Sequence, residues 1–376
     1  MIYKDFKDAR LSALGFGCMR LPCGEKGEAD VKTEEVREMV RYAFEHGLNY
    51  FDTAWGYHAE KSETVIGDIL AGYPRNSFYL ADKFPGYDLA NMDKVEEIFE
   101  RQLEKCRVDF FDFYLFHNVC EMNINQYLDP AYHIFDYLME QKKAGRIRHL
   151  GFSCHGHYGV LKRFLEAYGS EMEFCQLQIN YLDWNFQEAK AKVALLKEHG
   201  IPVWVMEPLR GGKLVSLSKE NEARLKALRP DESIAAWAFR FLQSLPEVVV
   251  TLSGMSTLEQ LKENLKTFEE SRKLNEAEMN TLLEIADGMM KKGTVPCTAC
   301  RYCTAHCPME LDIPYLISLY NEHAYSGGGF LAPMALMAVE DSKKPSACIG
   351  CGSCSAVCPQ QIQIPDIMKE FTRLMG

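Results

Sequence analysis

The sequence predicts an α/β fold in which a closed (β/α)8 barrel, the TIM-barrel architecture, is followed by a small, mainly helical, cysteine-rich domain. Three observations predict it. Eight short β-rich runs alternate with amphipathic helical stretches from about residue 10 to residue 270. Polar residues stand at the carboxyl ends of successive strand candidates, the face where barrel enzymes keep their chemistry. Two copies of one tight cysteine motif follow the last of these units.

The strand candidates are residues 13–18, 48–54, 77–83, 110–117, 147–153, 173–180, 202–207 and 247–253. Most are apolar nearly throughout, as in FFDFYLF and VVVTL, which suits parallel strands covered on both faces. Between them lie helical patterns. Val36, Met39, Val40, Ala43 and Phe44 share one face, and Gly47 follows as a C-terminal cap. Val95, Ile98, Phe99, Leu103 and Cys106 repeat that spacing, as do Leu258, Leu261, Leu265 and Phe268. An open doubly wound sheet is the competing architecture, but it calls for GxGxxG after the first strand. The nearest string is GFGCMR, with Arg20 in the third glycine's place.

The stretch NEAEMNTLLEIADGMMK at 275–291 reads as one more amphipathic helix, and KKGTVP at 291–296 reads as a linker. The domain boundaries expected are therefore 1–290 for the barrel and 291–376 for the cysteine-rich part. A chain of 376 residues has room for both. Its net charge of −11 argues against nucleic acid or an anionic membrane as the main partner. MIYKDFKDAR lacks a basic-then-apolar signal, and no apolar run approaches about 18 residues. The expectation is a soluble, cytoplasmic protein.

Six of the 14 cysteines are scattered: Cys18, Cys23, Cys106, Cys120, Cys154 and Cys175. The other eight fall in CTACRYCTAHCP (297–308) and CIGCGSCSAVCP (348–359), both C-x2-C-x2-C-x3-C-P. Three thiolates spaced this way wrap three corners of an iron–sulfur cube, and the fourth ligand comes from the other motif. One 4Fe–4S cluster then uses Cys297, Cys300, Cys303 and Cys358. The other uses Cys348, Cys351, Cys354 and Cys307. Paired zinc knuckles are the alternative, but zinc sites usually use two separated CxxC pairs. The segment resembles bacterial-type and α-helical ferredoxin domains, so this part is expected to be ferredoxin-like.

In the barrel, FDTAWGYH supplies Asp52 and Tyr57, ADKF supplies Lys83, and YLFHNV supplies His117. Taken singly, each has a structural explanation: a helix cap, loop packing or a core histidine. On successive strand ends they suit carbonyl reduction, which needs a hydride donor and an acid for the developing alkoxide. A phenol has a pKa of about 10. Lys83 is expected to bring it down, Asp52 to keep Lys83 charged, and His117 to hydrogen-bond the carbonyl oxygen.

Over roughly residues 10–270, DTAxxY with the strand-end Lys and His resembles the aldo–keto reductase family. The match makes Asp52, Tyr57, Lys83 and His117 that family's catalytic tetrad. The resemblance implies NADP or NAD as cofactor and a small-molecule carbonyl or alcohol as substrate. It implies nicotinamide-carboxamide contacts from Ser153 and Gln176, and puts Met206 where many members have an aromatic ring stacked on the nicotinamide. Leu209 and Gly211, in MEPLRGG, fall in a pyrophosphate loop. Gly254, Glu263 and Asn264, in SGMSTLEQLKEN, fall in an adenosine-binding segment. Cys154 replaces a frequent Asn, and Gly254 and Gln260 replace the basic residues that usually hold the NADP 2′-phosphate; Lys262 and Lys213 are the nearby substitutes. The overall layout is similar to iron–sulfur aldo–keto reductases of anaerobic bacteria and archaea.

Trp55, His58 and Phe84 are candidates either for the substrate pocket or for core packing. Cys18 and Cys154 lack a paired base and read as buried thiols. The competing function is an electron-transfer or redox-sensing protein whose clusters exchange electrons with a redox partner protein. A non-enzymatic nucleotide-binding regulator is a third reading, against which the intact tetrad counts.

Overall fold

The computed structural model describes residues 1–376 apart from 292, 293 and 298. It divides into two compact units, Met1–Leu283 and Glu284–Gly376. This division falls inside the helix Glu276–Lys291, whereas the sequence reading put the junction at that helix's end. Part of the expected linker 291–296 lies outside the described residues.

The first unit contains ten strands: β1 (Tyr3–Phe6), β2 (Ala9–Ser12), β3 (Leu14–Gly17), β4 (Tyr50–Asp52), β5 (Tyr79–Pro85), β6 (Phe111–Val119), β7 (Ile147–Cys154), β8 (Cys175–Gln178), β9 (Val203–Met206) and β10 (Val248–Gly254). The last eight close a parallel barrel in sequence order, with β10 beside β3. β1 and β2 form an antiparallel hairpin that the sequence reading did not foresee. Its Phe6 packs edge-on against Trp204 at 5.0 Å and joins Tyr50, Phe113 and Phe174 in one apolar cluster.

Side chains alternate across a strand. Tyr50 and Asp52 therefore share the inner face, as do Ala81 and Lys83, and Phe113, Leu115 and His117. The first members of each set fill the barrel with aromatic and aliphatic bulk; the last members emerge polar at the carboxyl end. The interior is tight enough to require glycine. A Cβ on Gly15 would lie 2.6 Å from Leu252 Cδ2, and one on Gly151 would lie 2.5 Å from the Phe174 carbonyl oxygen.

Among the described residues the second unit has no strand. Its longer helices are Ile313–Ser326, Leu331–Met337 and Ile364–Met375. Leu316, Ile317, Leu336, Ile364, Met368 and Phe371 form its core together with the buried Cys303 and Cys354. Asp312 caps the first helix by accepting from the Tyr315 N–H, and Gly327, at φ 69°, ends it.

Candidate active site and cysteine cavities

Lys83 lies on the inner face of β5 with no solvent exposure. An ammonium there must be paired or lose its proton. It is paired: Nζ donates to Asp52 Oδ1 at 2.7 Å and to the Thr53 carbonyl at 2.6 Å. It also lies 5.1 Å from the centre of the Tyr57 ring. Burial disfavours its charge, but Asp52 and Tyr57 outweigh burial and the Lys83 pKa ends above the usual value. Lys83 is therefore a permanent cation at neutral pH.

Tyr57 is half-buried, and its ring meets His117 edge-on with centroids 6.2 Å apart. Here the outcome differs from the expectation. Burial raises the Tyr57 pKa more than Lys83 lowers it, and the net result is about 12. The group held beside Lys83 is thus a neutral phenol. Burial, then the charge of Lys83, pushes the His117 imidazole well below its ordinary pKa, so it is neutral too. Tyr87 brackets it from another side, edge-on at 5.3 Å. His117 Nδ1 and Asp52 Oδ2 are buried without a hydrogen-bond partner.

Ser153 and Gln176 are register partners across β7 and β8. Ser153 Oγ and Gln176 Oε1 are likewise buried and unpartnered. Unpartnered buried polar atoms at a barrel mouth suit a ligand rich in amide and hydroxyl groups. Met206 ends β9, half-buried, and a curled loop follows it. Glu207, Arg210, Gly211 and Gly212 have φ of 56°, 48°, 63° and 91°. This loop contains Leu209 and Gly211 and is anchored by residues that the sequence reading missed. Arg210 Nε donates to both Asp183 oxygens, at 3.0 and 3.1 Å, with both side chains buried. Asn180 Nδ2 bridges Asp183 Oδ2 and the Glu207 carbonyl.

Gly254 ends β10 under Arg20, whose Cγ would lie 2.7 Å from a Cβ at that position. On the helix Leu258–Thr267, Glu263 is exposed. Asn264 is buried and donates from Nδ2 to Ser253 Oγ at 3.1 Å. Lys262 lies over the Tyr42 ring.

Of the three pocket candidates, only Trp55 is half-exposed at the mouth, with Lys105 over its ring at 4.4 Å. Phe84 is fully buried on the opposite face of β5 from Lys83 and packs against Tyr127. His58 is buried; its Nε2 accepts from the Leu21 N–H and its Nδ1 lies 3.0 Å from the Glu28 carbonyl. Cys18 and Cys154 are buried thiols, and burial raises both pKa values.

The cysteines of the second unit line two cavities. Cys297, Cys300, Cys303 and Cys358 line one, and Cys307, Cys348, Cys351 and Cys354 line the other. These are the sets that crossed ligation predicts. Among the described residues no three Cys, His, Asp or Glu side chains converge as a single ion would require. Four thiols on each wall are the ligand complement of a 4Fe–4S cluster. Asn321 braces the first motif, accepting from the Val295 N–H at 2.7 Å and donating to its carbonyl at 2.9 Å.

Residues 13–287 match the model of the aldo/keto reductase family, and residues 296–363 match that of the 4Fe-4S dicluster domain. An uncharacterized oxidoreductase of Bacillus subtilis, YqkF, is 26% identical over 305 residues, which span 73% of this chain and 92% of the relative. An NADH-specific methylglyoxal reductase of Escherichia coli is 22% identical over 325 residues, 75% of this chain and 97% of the relative. The holo form of aldo-keto reductase AKR11C1 from Bacillus halodurans is 25% identical. It superposes with a TM-score of 0.61, covering 76% of this chain and 96% of that one.

Proposed function

Because the chain belongs to the aldo/keto reductase family and carries a 4Fe-4S dicluster domain, we propose that it interconverts a small carbonyl compound and its alcohol using NADP or NAD, with Tyr57 as the general acid and base. The observation that carries this reading is the buried Lys83 ammonium, held on Asp52 and facing the Tyr57 ring.

A bound dinucleotide would supply the hydride. Ser153 and Gln176 would hold its carboxamide, Met206 would stand on the nicotinamide side, and the loop with Leu209 and Gly211 would hold the pyrophosphate. Gly254, Glu263 and Asn264 would serve the adenosine side. Arg20, lying over Gly254, offers a cation near the place where the family's usual basic residues are missing.

Tyr57 gives its proton to the carbonyl oxygen as charge develops there. Lys83 stabilises the tyrosinate that remains, Asp52 keeps Lys83 in place, and neutral His117 donates a hydrogen bond to the same oxygen. The Tyr57→Phe variant is expected to lose carbonyl reduction while still binding NADPH or NADH, as followed by quenching or enhancement of nicotinamide fluorescence. Turnover retained in that variant removes Tyr57 from the mechanism.

Cluster ligation by the two crossed cysteine sets belongs to the same proposal. A second reading is supported by the exposure of Cys300 and Cys351, each flanked by an exposed apolar side chain, Tyr302 and Ile349. In that reading the clusters trade electrons with a redox partner protein in the cytoplasm. No helix among the described residues is long and apolar enough to cross a membrane. A hydride carries two electrons and each cluster accepts one, so direct coupling would need a flavin or radical intermediate. Bleaching of cluster absorbance by NADPH or NADH under anaerobic conditions supports coupling; unchanged absorbance leaves the clusters to a partner.

A further inference from the structure

The two cysteine motifs are twins, and their surroundings repeat in step. Ala299 and Gly350 share a left-handed backbone, φ 55° and 70°; so do Arg301 and Gly352, φ 64° and 75°, and Glu310 and Gln361, φ 51° and 54°. Cys303 and Cys354 are both buried, and Cys300 and Cys351 are both exposed. Each motif is followed by an Ile-Pro pair that opens a helix, and both pairs contribute to the cavity walls. Ile364 belongs to both walls.

Within this repeat, the polarity of the walls differs at two equivalent places. Arg301 lines the first cavity where Gly352 lines the second, and Gln360 lines the first where Met309 lines the second. Apart from cysteine, the other lining residues of both cavities are apolar. Arg301 stands in a left-handed conformation, φ 64°, where the twin position uses glycine. Asp312 Oδ2 accepts from Arg301 Nη2 at 3.0 Å but lies outside the wall.

Reduction adds one negative charge to a 4Fe–4S cluster. A cation and an amide donor at the wall favour the reduced form, and so raise the potential. In the second cavity the Leu311 N–H points at Cys307 Sγ, 3.4 Å away, and Ser353 and Ser355 hydrogen-bond to Cys351 and Cys354, so the donors there are neutral and none carries a full charge. We propose that Arg301, with Gln360, gives the cluster held by Cys297, Cys300, Cys303 and Cys358 the higher reduction potential of the two. An electron reaching this unit then settles there first. The proposal rests on the crossed ligation above.

The test is an anaerobic potentiometric titration of the full-length protein carrying both clusters, followed by EPR, with iron and spin counted first. Two separate one-electron waves are expected. Arg301→Gly, which also relieves the backbone, should lower the upper wave and leave the lower one in place. At a fixed potential the oxidised-to-reduced ratio of that cluster should rise about three- to tenfold. Asp312→Asn should raise the upper wave, and Gly352→Arg should raise the lower one and close the gap. A single wave in the parent protein, or a shift of the lower wave in Arg301→Gly, overturns the assignment. Iron and spin counts short of two clusters overturn the ligation itself.

Discussion

Lys83 Nζ and Asp52 Oδ1 meet at 2.7 Å in the barrel interior, and both side chains are almost wholly excluded from water. Removing one member strands the other charge, which costs about 3–5 kcal/mol, whereas an apolar pair of similar volume costs far less. Asp52→Asn should therefore lower the denaturant midpoint sharply. The double variant Asp52→Leu with Lys83→Met should recover most of that stability and no turnover. Recovery of both would mean that the pair serves folding alone.

The Tyr57 pKa of about 12 carries a sign that kinetics can read. Reduction needs the phenol protonated, and it stays so through neutral and moderately alkaline pH. Carbonyl reduction at saturating dinucleotide should be flat between about pH 6 and 9. Alcohol oxidation needs the tyrosinate, so its rate should climb about tenfold per pH unit across the same range. Lys83→Met removes the one strong influence that lowers this pKa, which should slow oxidation more than reduction. A reduction rate that falls with pH from neutrality would contradict a phenol raised by burial.

The eight barrel strands were legible because strands covered on both faces read as unbroken apolar runs, and each observed strand falls on an expected one. The tetrad was legible because its members end those runs. Phe84 shows an available signal left unused: a neighbour of Lys83 on one strand must face the other way. The β1–β2 hairpin was not legible. Its faces mix charged and apolar residues, and its turn uses Lys7, at φ 50°, where glycine or asparagine would have announced it. The Asp183–Arg210 anchor has no local pattern, since the fold alone brings the two together. Nor could the sequence give the Tyr57 pKa, because burial set its sign.

That anchor supplies its own prediction. The loop from Glu207 to Gly212 contains residues in left-handed conformations that only surrounding contacts sustain. Asp183→Asn weakens the hold on Arg210 without touching the tetrad. The KM for dinucleotide should rise about tenfold or more, with kcat changed little. A fall in kcat at unchanged KM would place the loop's role elsewhere.

At the opposite end of the barrel, Glu173 accepts from His149 Nδ1 at 2.7 Å and pairs with Lys7 at 2.6 Å and Lys142 at 2.5 Å. Burial alone would raise its pKa, but these three partners bring it down to about 2. A carboxyl depressed in the folded state stabilises above its unfolded pKa of about 4.5, and that stability is lost as pH falls towards 2. Glu173→Gln should cost roughly 2–3 kcal/mol at neutral pH. The gap to the parent should shrink between about pH 4.5 and 2. Denaturant midpoints across that window measure it, and a gap independent of pH would mean that packing, not charge, is what the substitution removes.

Cys358 tests crossed ligation directly. By chain position it belongs with Cys348, Cys351 and Cys354; by the cavity it lines, it belongs with Cys297, Cys300 and Cys303. In the Cys358→Ala variant the cluster next to Arg301 should be lost or degraded, so the wave sensitive to Arg301→Gly should disappear from the titration. The surviving wave should respond to Gly352→Arg. Cys307→Ala should give the mirror result, because Cys307 lines the cavity of the second motif. If Cys358→Ala instead removed the wave that Gly352→Arg moves, each motif would hold its own cluster with four consecutive ligands, and the fold of this unit would have to bring the fourth thiol back to its own three.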